Sequence, residues 1–328
     1  GPELKFKKDL MSDLNISAIG GKFGKMVLAK DRSTSDYYLT KTYDKLRLAF
    51  NDDVTRNKII EIISNERSVV ENLRNPFLLK SLATFTDERN LYMVLDFQGG
   101  EILSDLMERC GRLNQTTSTF FAAELVQAIK YLHQNKFSCR SLSPDTVLIT
   151  ENGHVLLTDF TIVKADVDKN FEGCTTICGI DPYCAPETHL YCDTGSSVCY
   201  GLSSDWWSIG ALLCKMLTNK APVSSVMIPG LSDEMELLND YLPSYLSSSI
   251  IDATKNLLQV KPENRLGSKS FEEVENHSMF SHLDKDIILS KGYTSPYSLP
   301  PFYAHSSSIL QELKELTLNS ESHHQNCL

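Results

Sequence analysis

The spacing of hydrophobic residues divides the chain into a strand-rich first part and a mainly helical second part. One amphipathic helix interrupts the first part, because apolar residues between Ile59 and Leu73 recur at intervals of three and four positions. Glu66 falls on the apolar face of this helix, where a carboxylate is unfavourable unless a cation pairs with it. We therefore expect either a buried ion pair or a boundary residue that reaches solvent. The predicted strands cover residues 16–29, 37–43, 82–85 and 91–95.

The second part is helical except for one hairpin. Asn152-Gly153 separates two apolar runs at residues 146–150 and 154–158, which is the strongest short-range signal for a β-hairpin. Beyond Leu283 the chain is irregular and then turns polar. We predict helices over residues 121–132, 204–216 and 246–258 and a loop over residues 166–176.

This order of elements predicts an α+β architecture in two lobes. A small β-rich lobe with one key helix is assigned to residues 14–97, and a larger helical lobe to residues 98–283. Residues 1–13 are interpreted as an N-terminal extension that starts with a cloning remnant, Gly1-Pro2. Residues 284–328 are interpreted as a C-terminal tail.

Composition changes this picture mainly by excluding partners and compartments. The chain has 328 residues with 32 basic and 42 acidic side chains, and its net charge of −10 disfavours nucleic acid or an anionic membrane as the main partner. No apolar run approaches the ~18 residues that a membrane span needs, and no signal peptide is visible. Nine cysteines without a CxxC pair favour a reducing compartment and argue against a metal site. We therefore expect a cytoplasmic protein, with the nucleus as the alternative.

A glycine cluster and a strand lysine are the first candidates for chemistry. Gly20, Gly21 and Gly24 lie between strand-like runs, a context that favours a flap over phosphates and not a dinucleotide-binding turn. A plain hairpin turn fits the same pattern. Lys41 follows in the next strand, and the helix that carries Glu66 comes after it.

Eight short motifs occur in an order that resembles the protein kinase family over about residues 14–302. The double tryptophan, the Cys-Gly pair and the downstream Pro300-Pro301-Phe302 are similar to the cyclic-AMP-dependent (AGC) kinase group. The resemblance implies a bilobal protein kinase-like fold in which Lys41 and Glu66 pair to orient nucleotide phosphates. The motifs are Asn65-Glu66-Arg67, Asn90-Leu91-Tyr92-Met93-Val94, Gly99-Gly100-Glu101, Asp159-Phe160, Cys178-Gly179, Ala185-Pro186-Glu187, Asp205-Trp206-Trp207 and Arg265-Leu266-Gly267.

The catalytic loop departs from the pattern of active family members at three positions. Ser141 stands where an aspartate accepts the proton of the substrate hydroxyl, and serine is not a base at neutral pH. Ser143 replaces a lysine that helps to neutralise the transferred phosphoryl group. Thr146 replaces an asparagine that holds a second magnesium ion, and it offers one neutral hydroxyl. These changes predict a pseudokinase, a catalytically inactive protein kinase homologue.

The nucleotide site is expected to be a remnant. Asp159 keeps the carboxylate that would hold magnesium, and Lys41 and Glu66 remain as well. Met26 and Leu39 stand where the family has a valine and a small alanine over the adenine, and bulk added there obstructs a close-packed slot. We therefore expect no cofactor, or at most weak binding of ATP and Mg²⁺. The retained charged residues would then form a structural ion-pair network.

Residues that hold the family's fold together are retained. Glu187 and Arg265 match a buried pair that ties the activation segment to the helical lobe, and Asp205 matches a carboxylate that caps the catalytic-loop backbone. Thr176 aligns with the activating phosphosite of the family, and Arg140 lies next to its loop. Phosphorylation of Thr176 would order that loop through Arg140, and an unmodified polar loop is the alternative.

Substrate recognition is expected to differ from that of basophilic relatives, which bind arginines near the target serine with acidic residues. Glu101 and Asp145 occupy two such positions, but Lys215 stands where an acid is expected and would repel the peptide. The insertion at residues 191–202 is either a partner contact or an ordinary surface loop. Residues 309–318 indicate a short amphipathic helix in place of the family's phenylalanine-rich tail motif.

The resulting hypothesis is a scaffold or allosteric regulator that presents a fixed arrangement of its lobes to a signalling partner. The partner is expected to be a protein, such as an active kinase or a regulatory subunit. The alternatives are a weakly active serine/threonine kinase that uses ATP and Mg²⁺, and a nucleotide-binding switch without phosphotransfer.

Overall fold

The computed structural model describes residues 4–6, 24–31, 37–49, 52–97, 100–174, 181–189, 199–222 and 242–299. Within these ranges a lobe built on a β-sheet precedes a larger helical lobe, so the prediction of a bilobal α+β fold is confirmed. The main hydrophobic cluster is shared by the two lobes and includes Leu39 in the first and Ile288 in the second.

A five-stranded antiparallel sheet forms the first lobe. Its strands are β1 (Leu4–Phe6), β2 (Lys25–Asp31), β3 (Tyr37–Asp44), β4 (Ser81–Thr86) and β5 (Asn90–Leu95). The strand order is β1-β2-β3-β5-β4, which places β3 at the centre. On β3, Lys41 lies opposite Met26 of β2 and Met93 of β5. The central strand therefore carries the lysine that the sequence singled out.

Strand β1 differs from the prediction, which left residues 1–13 outside both lobes. Leu4 lies opposite Asp31, and Phe6 lies opposite Ala29 in antiparallel register. The segment is only three residues long, and the two lysines that follow it hide any alternating pattern. The segment joins the sheet by pairing with β2, and the local spacing of hydrophobic residues does not predict this pairing.

Two helices follow β3, the short α1 (Lys45–Ala49) and the long α2 (Asp53–Asn72). Helix α2 begins where Asp52 accepts a hydrogen bond from the Thr55 amide at 2.7 Å, and it packs against β4. The apolar spacing placed its start at Ile59, six residues late, because the first turns face solvent. Glu66 is buried on the same face as Ile59, Ile63, Val69 and Val70.

The second lobe is built around two helices that are buried over most of their surface, α4 (Gln115–Gln134) and α5 (Ser203–Thr218). Both were predicted, as was α6 (Ser248–Leu257). The sequence did not predict α3 (Leu103–Cys110), α7 (Glu272–Glu275) or α8 (Lys285–Leu289), and 3₁₀ turns occur at Pro186–Thr188, Pro262–Asn264 and Ser278–Phe280. None of the helices in the described ranges has the length and hydropathy that a membrane crossing requires.

A second small sheet contains β6 (Glu101–Ile102), β7 (Val147–Ile149) and β8 (Val155–Leu157) in that order. Strands β7 and β8 confirm the predicted hairpin, and Gly153 in its turn has a φ of +79°. A Cβ on Gly153 would lie 1.9 Å from the carbonyl oxygen of Tyr297. The backbone near Tyr297 therefore packs directly on the hairpin turn, in a region where the sequence predicted an irregular tail.

Candidate active site

Strand β3 and helix α2 bring Lys41 and Glu66 together in the interior of the protein. Lys41 Nζ lies 2.7 Å from Glu66 Oε2, and the two residues are 2% and 3% exposed. Tyr43, two positions along β3, donates a hydrogen bond from its hydroxyl to Glu66 Oε1 at 2.5 Å. Glu66 was expected either in a buried ion pair or at the boundary with solvent, and the structure shows the buried ion pair.

Burial is the main electrostatic influence on this group of side chains. It raises the pKa of the Glu66 carboxyl, while the charge of Lys41 and the hydrogen bonds from Lys41 and Tyr43 act in the opposite direction. Burial, reinforced by the negative charge of Glu66, also raises the pKa of the Tyr43 phenol. Asp159 contributes to both shifts, so its carboxylate belongs to the same electrostatic environment.

Gly24, immediately before β2, packs directly on the side chain of Lys41. A Cβ at this position would lie 2.4 Å from Lys41 Cε and 2.8 Å from its Cγ. A residue with a side chain would therefore displace the lysine, and this close contact explains why a glycine suits the position. Gly20 and Gly21, the other glycines of the predicted flap, lie outside the described residues.

The backbone of the catalytic loop is capped by Asp205 at the start of α5. Its carboxylate accepts hydrogen bonds from the amides of Cys139 and Arg140, both at 2.9 Å, and contacts His133 Nε2 at 2.7 Å. Arg140 adopts a φ of +61°, and this cap holds it in that strained conformation. The geometry is the one that the resemblance implied for Asp205.

The three loop residues that replace catalytic side chains form hydrogen bonds with backbone groups of the loop or of the segment beside it. Ser141 Oγ donates to the carbonyl oxygen of Asp159 at 3.1 Å. Thr146 Oγ1 donates to the carbonyl oxygen of Ser141 at 2.5 Å and accepts from the amide of Ser143 at 3.0 Å. The serine at the position of the base is therefore a neutral donor that is bonded to the backbone of the neighbouring segment.

Asp159 is half-buried, and its Oδ1 accepts a hydrogen bond from the Thr161 amide at 2.9 Å. A carboxylate is a ligand that Mg²⁺ prefers, and a lysine ammonium is a partner for phosphate oxygens. Lys41 and Asp159 therefore fit a metal-bound nucleotide phosphate. The hydroxyl of Thr146 is already bonded within the loop.

Leu39 lies two positions before Lys41 on β3 and is fully buried in the main hydrophobic cluster. The backbone of Met26 pairs with Lys41 in β2, and its side chain lies outside the description. Their predicted role in obstructing the adenine slot stays a prediction. A cavity of about 470 Å³ lies elsewhere, between the 74–80 segment, Asp96 and Lys291, and none of the site residues lines it.

Two contacts tie the segment before α5 to the helical lobe. Arg265 binds Glu187 with both ends of its guanidinium, at 2.6 and 2.9 Å, and is 1% exposed. The end of the 191–202 insertion is also buried at Tyr200 and Leu202, and Tyr200 exchanges two backbone hydrogen bonds of 2.9 and 3.0 Å with Cys174. No pattern in the sequence indicates the pairing of Tyr200 with Cys174. In the catalytic loop, Arg140 donates a hydrogen bond to the carbonyl oxygen of Ile162 at 2.7 Å.

Glu101, predicted to contact a substrate arginine, is bound by an arginine of the chain itself. Arg109 on α3 contacts its carboxylate at 2.7 and 3.3 Å, and the Tyr297 hydroxyl lies 3.0 Å from Arg109 Nη2. Asp145 is exposed, and Lys215 donates to the carbonyl oxygen of Asn219 at 3.1 Å. The sequence missed Arg109, although Glu101 lies two residues before the short helix α3, and Arg109 lies in the last turn of that helix.

Cysteines do not assemble into a metal centre within the described ranges. Cys139, Cys174 and Cys214 are buried free thiols, and burial raises the pKa of Cys139 to about 12. Cys184 takes part in a disulfide bond. Several predicted features lie outside the described residues: Gly99, Thr176, Cys178-Gly179, Cys192, most of the 191–202 insertion, Pro300-Pro301-Phe302 and residues 309–318.

Comparison with known families decides the assignment. Residues 15–280 match the family model described as protein kinase domain. The chain belongs to the protein kinase family. The match covers both lobes, and it agrees with the resemblance that the eight motifs indicated.

The most similar relatives include AGC-type kinases. The human cAMP-dependent protein kinase catalytic subunit PRKX is 32% identical over 279 residues, which is 84% of this chain and 73% of the relative. The catalytic subunit from Schizosaccharomyces pombe is 32% identical over 87% of this chain and 53% of its own length. Human serine/threonine-protein kinase Sgk2 is 32% identical over 85% and 73%. The chain spans only 30% of the length of Protein kinase 3 from Dictyostelium discoideum.

These relatives contradict the prediction that the chain is not an enzyme. They are named as protein kinases or their catalytic subunits, which points to a catalytic protein. The prediction gave Ser141 decisive weight. Phosphoryl transfer, however, depends mainly on positioning and electrostatic stabilisation, and these do not require a carboxylate at one loop position.

Proposed function

We propose that the chain is a serine/threonine protein kinase that uses ATP and Mg²⁺ and transfers phosphate slowly. The observation that carries the proposal is the buried ion pair of Lys41 and Glu66, 2.7 Å long, with the bare backbone of Gly24 packed on the lysine. A protein that no longer handled a nucleotide would have no need for a buried charge pair, which apolar side chains replace at little cost in stability. The AGC-type relatives support the same conclusion.

Each retained residue has a definite task in this proposal. Lys41 binds phosphate oxygens, and Glu66 keeps its ammonium in place. Asp159 holds the metal, which supplies positive charge that neutralises the phosphates. Asp205 fixes the loop backbone through the amides of Cys139 and Arg140, so the loop keeps its shape without an acidic side chain at its tip.

Ser141 is the reason to expect a slow reaction. The serine hydroxyl does not take a proton from a substrate at neutral pH, and a general base accelerates such steps by about 10²–10⁴-fold. The transition state of phosphoryl transfer is loose, so the substrate hydroxyl still attacks when it is well positioned. Leu39 adds bulk at the adenine slot, and we expect weak ATP affinity as a result.

The proposal extends to the partner and the compartment of the protein. We infer a protein partner, such as an active kinase or a regulatory subunit, since a relative is named as a catalytic subunit and the net charge of −10 disfavours nucleic acid. We infer a cytoplasmic location from the buried free thiols of Cys139 and Cys214, although the disulfide bond of Cys184 points the other way.

Incorporation of radioactive phosphate into a library of serine- and threonine-containing peptides tests the proposal. The wild-type chain should label peptides in the presence of Mg²⁺, and Lys41→Met and Asp159→Ala should abolish the labelling. Lys261→Met, a change at an exposed lysine just before the 3₁₀ turn at Pro262–Asn264, is the matched control and should label normally. Equal labelling by wild type and Lys41→Met would contradict the proposal, because the signal would then come from a contaminating kinase.

A further inference from the structure

Glu66 has a second partner that no motif indicated. Lys41 and Tyr43 are two positions apart on β3 and therefore project from the same face of the sheet. The Tyr43 hydroxyl donates to Glu66 Oε1 at 2.5 Å, while Lys41 Nζ lies 2.7 Å from Oε2. Each oxygen of the carboxylate thus has its own donor, one neutral and one charged.

All three side chains are removed from water. Lys41, Tyr43 and Glu66 are each only 2–3% exposed. A donor lost from this group leaves a buried carboxylate oxygen unsatisfied, since no solvent replaces it. The Lys41 ammonium also lies 5.3 Å from the centre of the Tyr43 ring, a distance at which the ring face stabilises a cation. Tyr43 therefore contacts both members of the ion pair.

We propose that Tyr43 is a positioning residue that holds Glu66, and with it α2, against β3 while Lys41 engages the phosphates of a bound nucleotide. The inference rests on the proposed function, because it assumes that Lys41 binds phosphate. When the ammonium turns toward phosphate oxygens, Glu66 keeps the tyrosine hydroxyl as a donor. Lys41 thus serves the nucleotide while one oxygen of the buried carboxylate keeps its donor.

Comparison of the affinities for ATP and for adenosine separates the positioning role of Tyr43 from a general effect on folding. In Tyr43→Phe the ring packing stays and only the hydroxyl is lost. We expect the dissociation constant of Mg-ATP, measured by titration calorimetry, to rise about tenfold, since a hydrogen bond to a charged group is lost. The dissociation constant of adenosine should not change, because adenosine has no phosphate for Lys41 to bind.

Tyr92→Phe is the matched control. It removes a tyrosine hydroxyl from the Asp87 carboxylate, 2.7 Å away, in the same sheet but at a different site. Both dissociation constants should stay at their wild-type values. Glu66→Gln is the second variant, which weakens the acceptor of both bonds. It should weaken ATP binding at least as much as Tyr43→Phe, and adding Tyr43→Phe to it should have little further effect.

The outcomes distinguish the inference from the proposed function. An unchanged ATP affinity in Tyr43→Phe, or an equal loss for ATP and adenosine, would overturn the role of Tyr43 and leave the kinase proposal intact. Absence of ATP binding by the wild-type protein would overturn the kinase proposal and, with it, a nucleotide role for Tyr43. Circular dichroism of each variant establishes that the compared proteins are folded.

Discussion

Gly24 and Lys41 are in direct contact, with the lysine side chain in the space that a Cβ on Gly24 would occupy. Gly24 immediately precedes β2, and β2 pairs with the strand that carries the lysine, so the register of β2 and β3 brings the two residues close together. The glycine thereby decides where the ammonium group lies.

Gly24→Ala should weaken ATP binding by displacing Lys41. The new methyl group would come 2.4 Å from Lys41 Cε, so the flexible lysine has to move away from its present position. We expect a loss of about tenfold in ATP affinity by calorimetry, the equivalent of one charge-assisted hydrogen bond. In a Lys41→Ala background the clash is gone, and Gly24→Ala should then have no additional effect. An equal loss in both backgrounds would contradict this explanation.

Removal of one partner from the buried pair of Glu187 and Arg265 should strongly destabilise the protein. Glu187→Gln leaves a guanidinium that is 1% exposed without its bidentate partner. We expect the free energy of unfolding in urea to fall by about 3–5 kcal/mol, as when one partner of a buried ion pair is removed.

An exposed ion pair of the same chain provides the control for this measurement. Lys169 and Glu172 lie 3.2 Å apart and both are about two-thirds exposed. Glu172→Gln should change the free energy of unfolding by less than about 0.5 kcal/mol. Similar effects of the two substitutions would show that the burial of Arg265 is not what makes its pair important.

Arg109→Ala should alter the preference for basic peptides. Arg109 neutralises Glu101, which the resemblance places where basophilic kinases bind a substrate arginine. With the guanidinium removed, the carboxylate should attract an arginine from a peptide instead. We expect the variant to favour an arginine-containing peptide over its glutamine counterpart by more than the wild type does, in competition binding assays. Loss of the Glu101 bond should also lower the free energy of unfolding by about 1–3 kcal/mol.

The sequence predicted the features that depend on local patterns, and it missed the contacts that depend on the final packing of the chain. Glu66 was expected inside because its helix has a regular apolar face, and the hairpin was expected because Asn-Gly has a strong turn preference. Tyr297 reaches Arg109 across 188 positions of the chain, and such a contact depends on the final packing of the tail. Tyr43 was missed for another reason: a tyrosine in a buried strand gives no sign that its hydroxyl meets a carboxylate.

Glu275 should make the protein less stable in acid. Burial opposes its ionisation, but hydrogen bonds from Lys130 and Gln127 and the charge of Lys130 outweigh burial and hold the pKa below its ordinary value of 4.5. The folded protein therefore binds this proton less readily than the unfolded chain does. The stabilisation is complete above the unfolded pKa and is lost as the pH falls through the folded pKa.

Unfolding in urea at several pH values checks this prediction. Glu275→Gln should reduce the loss of stability that the wild type shows below about pH 4.5. Glu263→Gln, a change at an exposed glutamate, is the control and should leave the pH dependence close to that of the wild type. Parallel curves for wild type and Glu275→Gln would contradict the assignment of this acid sensitivity to Glu275.

Ser141→Asp should accelerate phosphate transfer by returning a carboxylate to the tip of the catalytic loop. The backbone there is already held by Asp205, through the amides of Cys139 and Arg140, so the new side chain starts from a fixed position. The substitution removes one hydrogen bond, from Ser141 Oγ to the carbonyl of Asp159. A positioned general base should then raise the rate of peptide labelling by about 10²-fold, the lower end of the range for such groups. Ser141→Asn has nearly the same size and no basic oxygen, and it should label peptides no faster than the wild type. Equal rates for the Asp and Asn variants would mean that the missing base is not what limits this kinase, and Leu39 at the adenine slot would become the next residue to change.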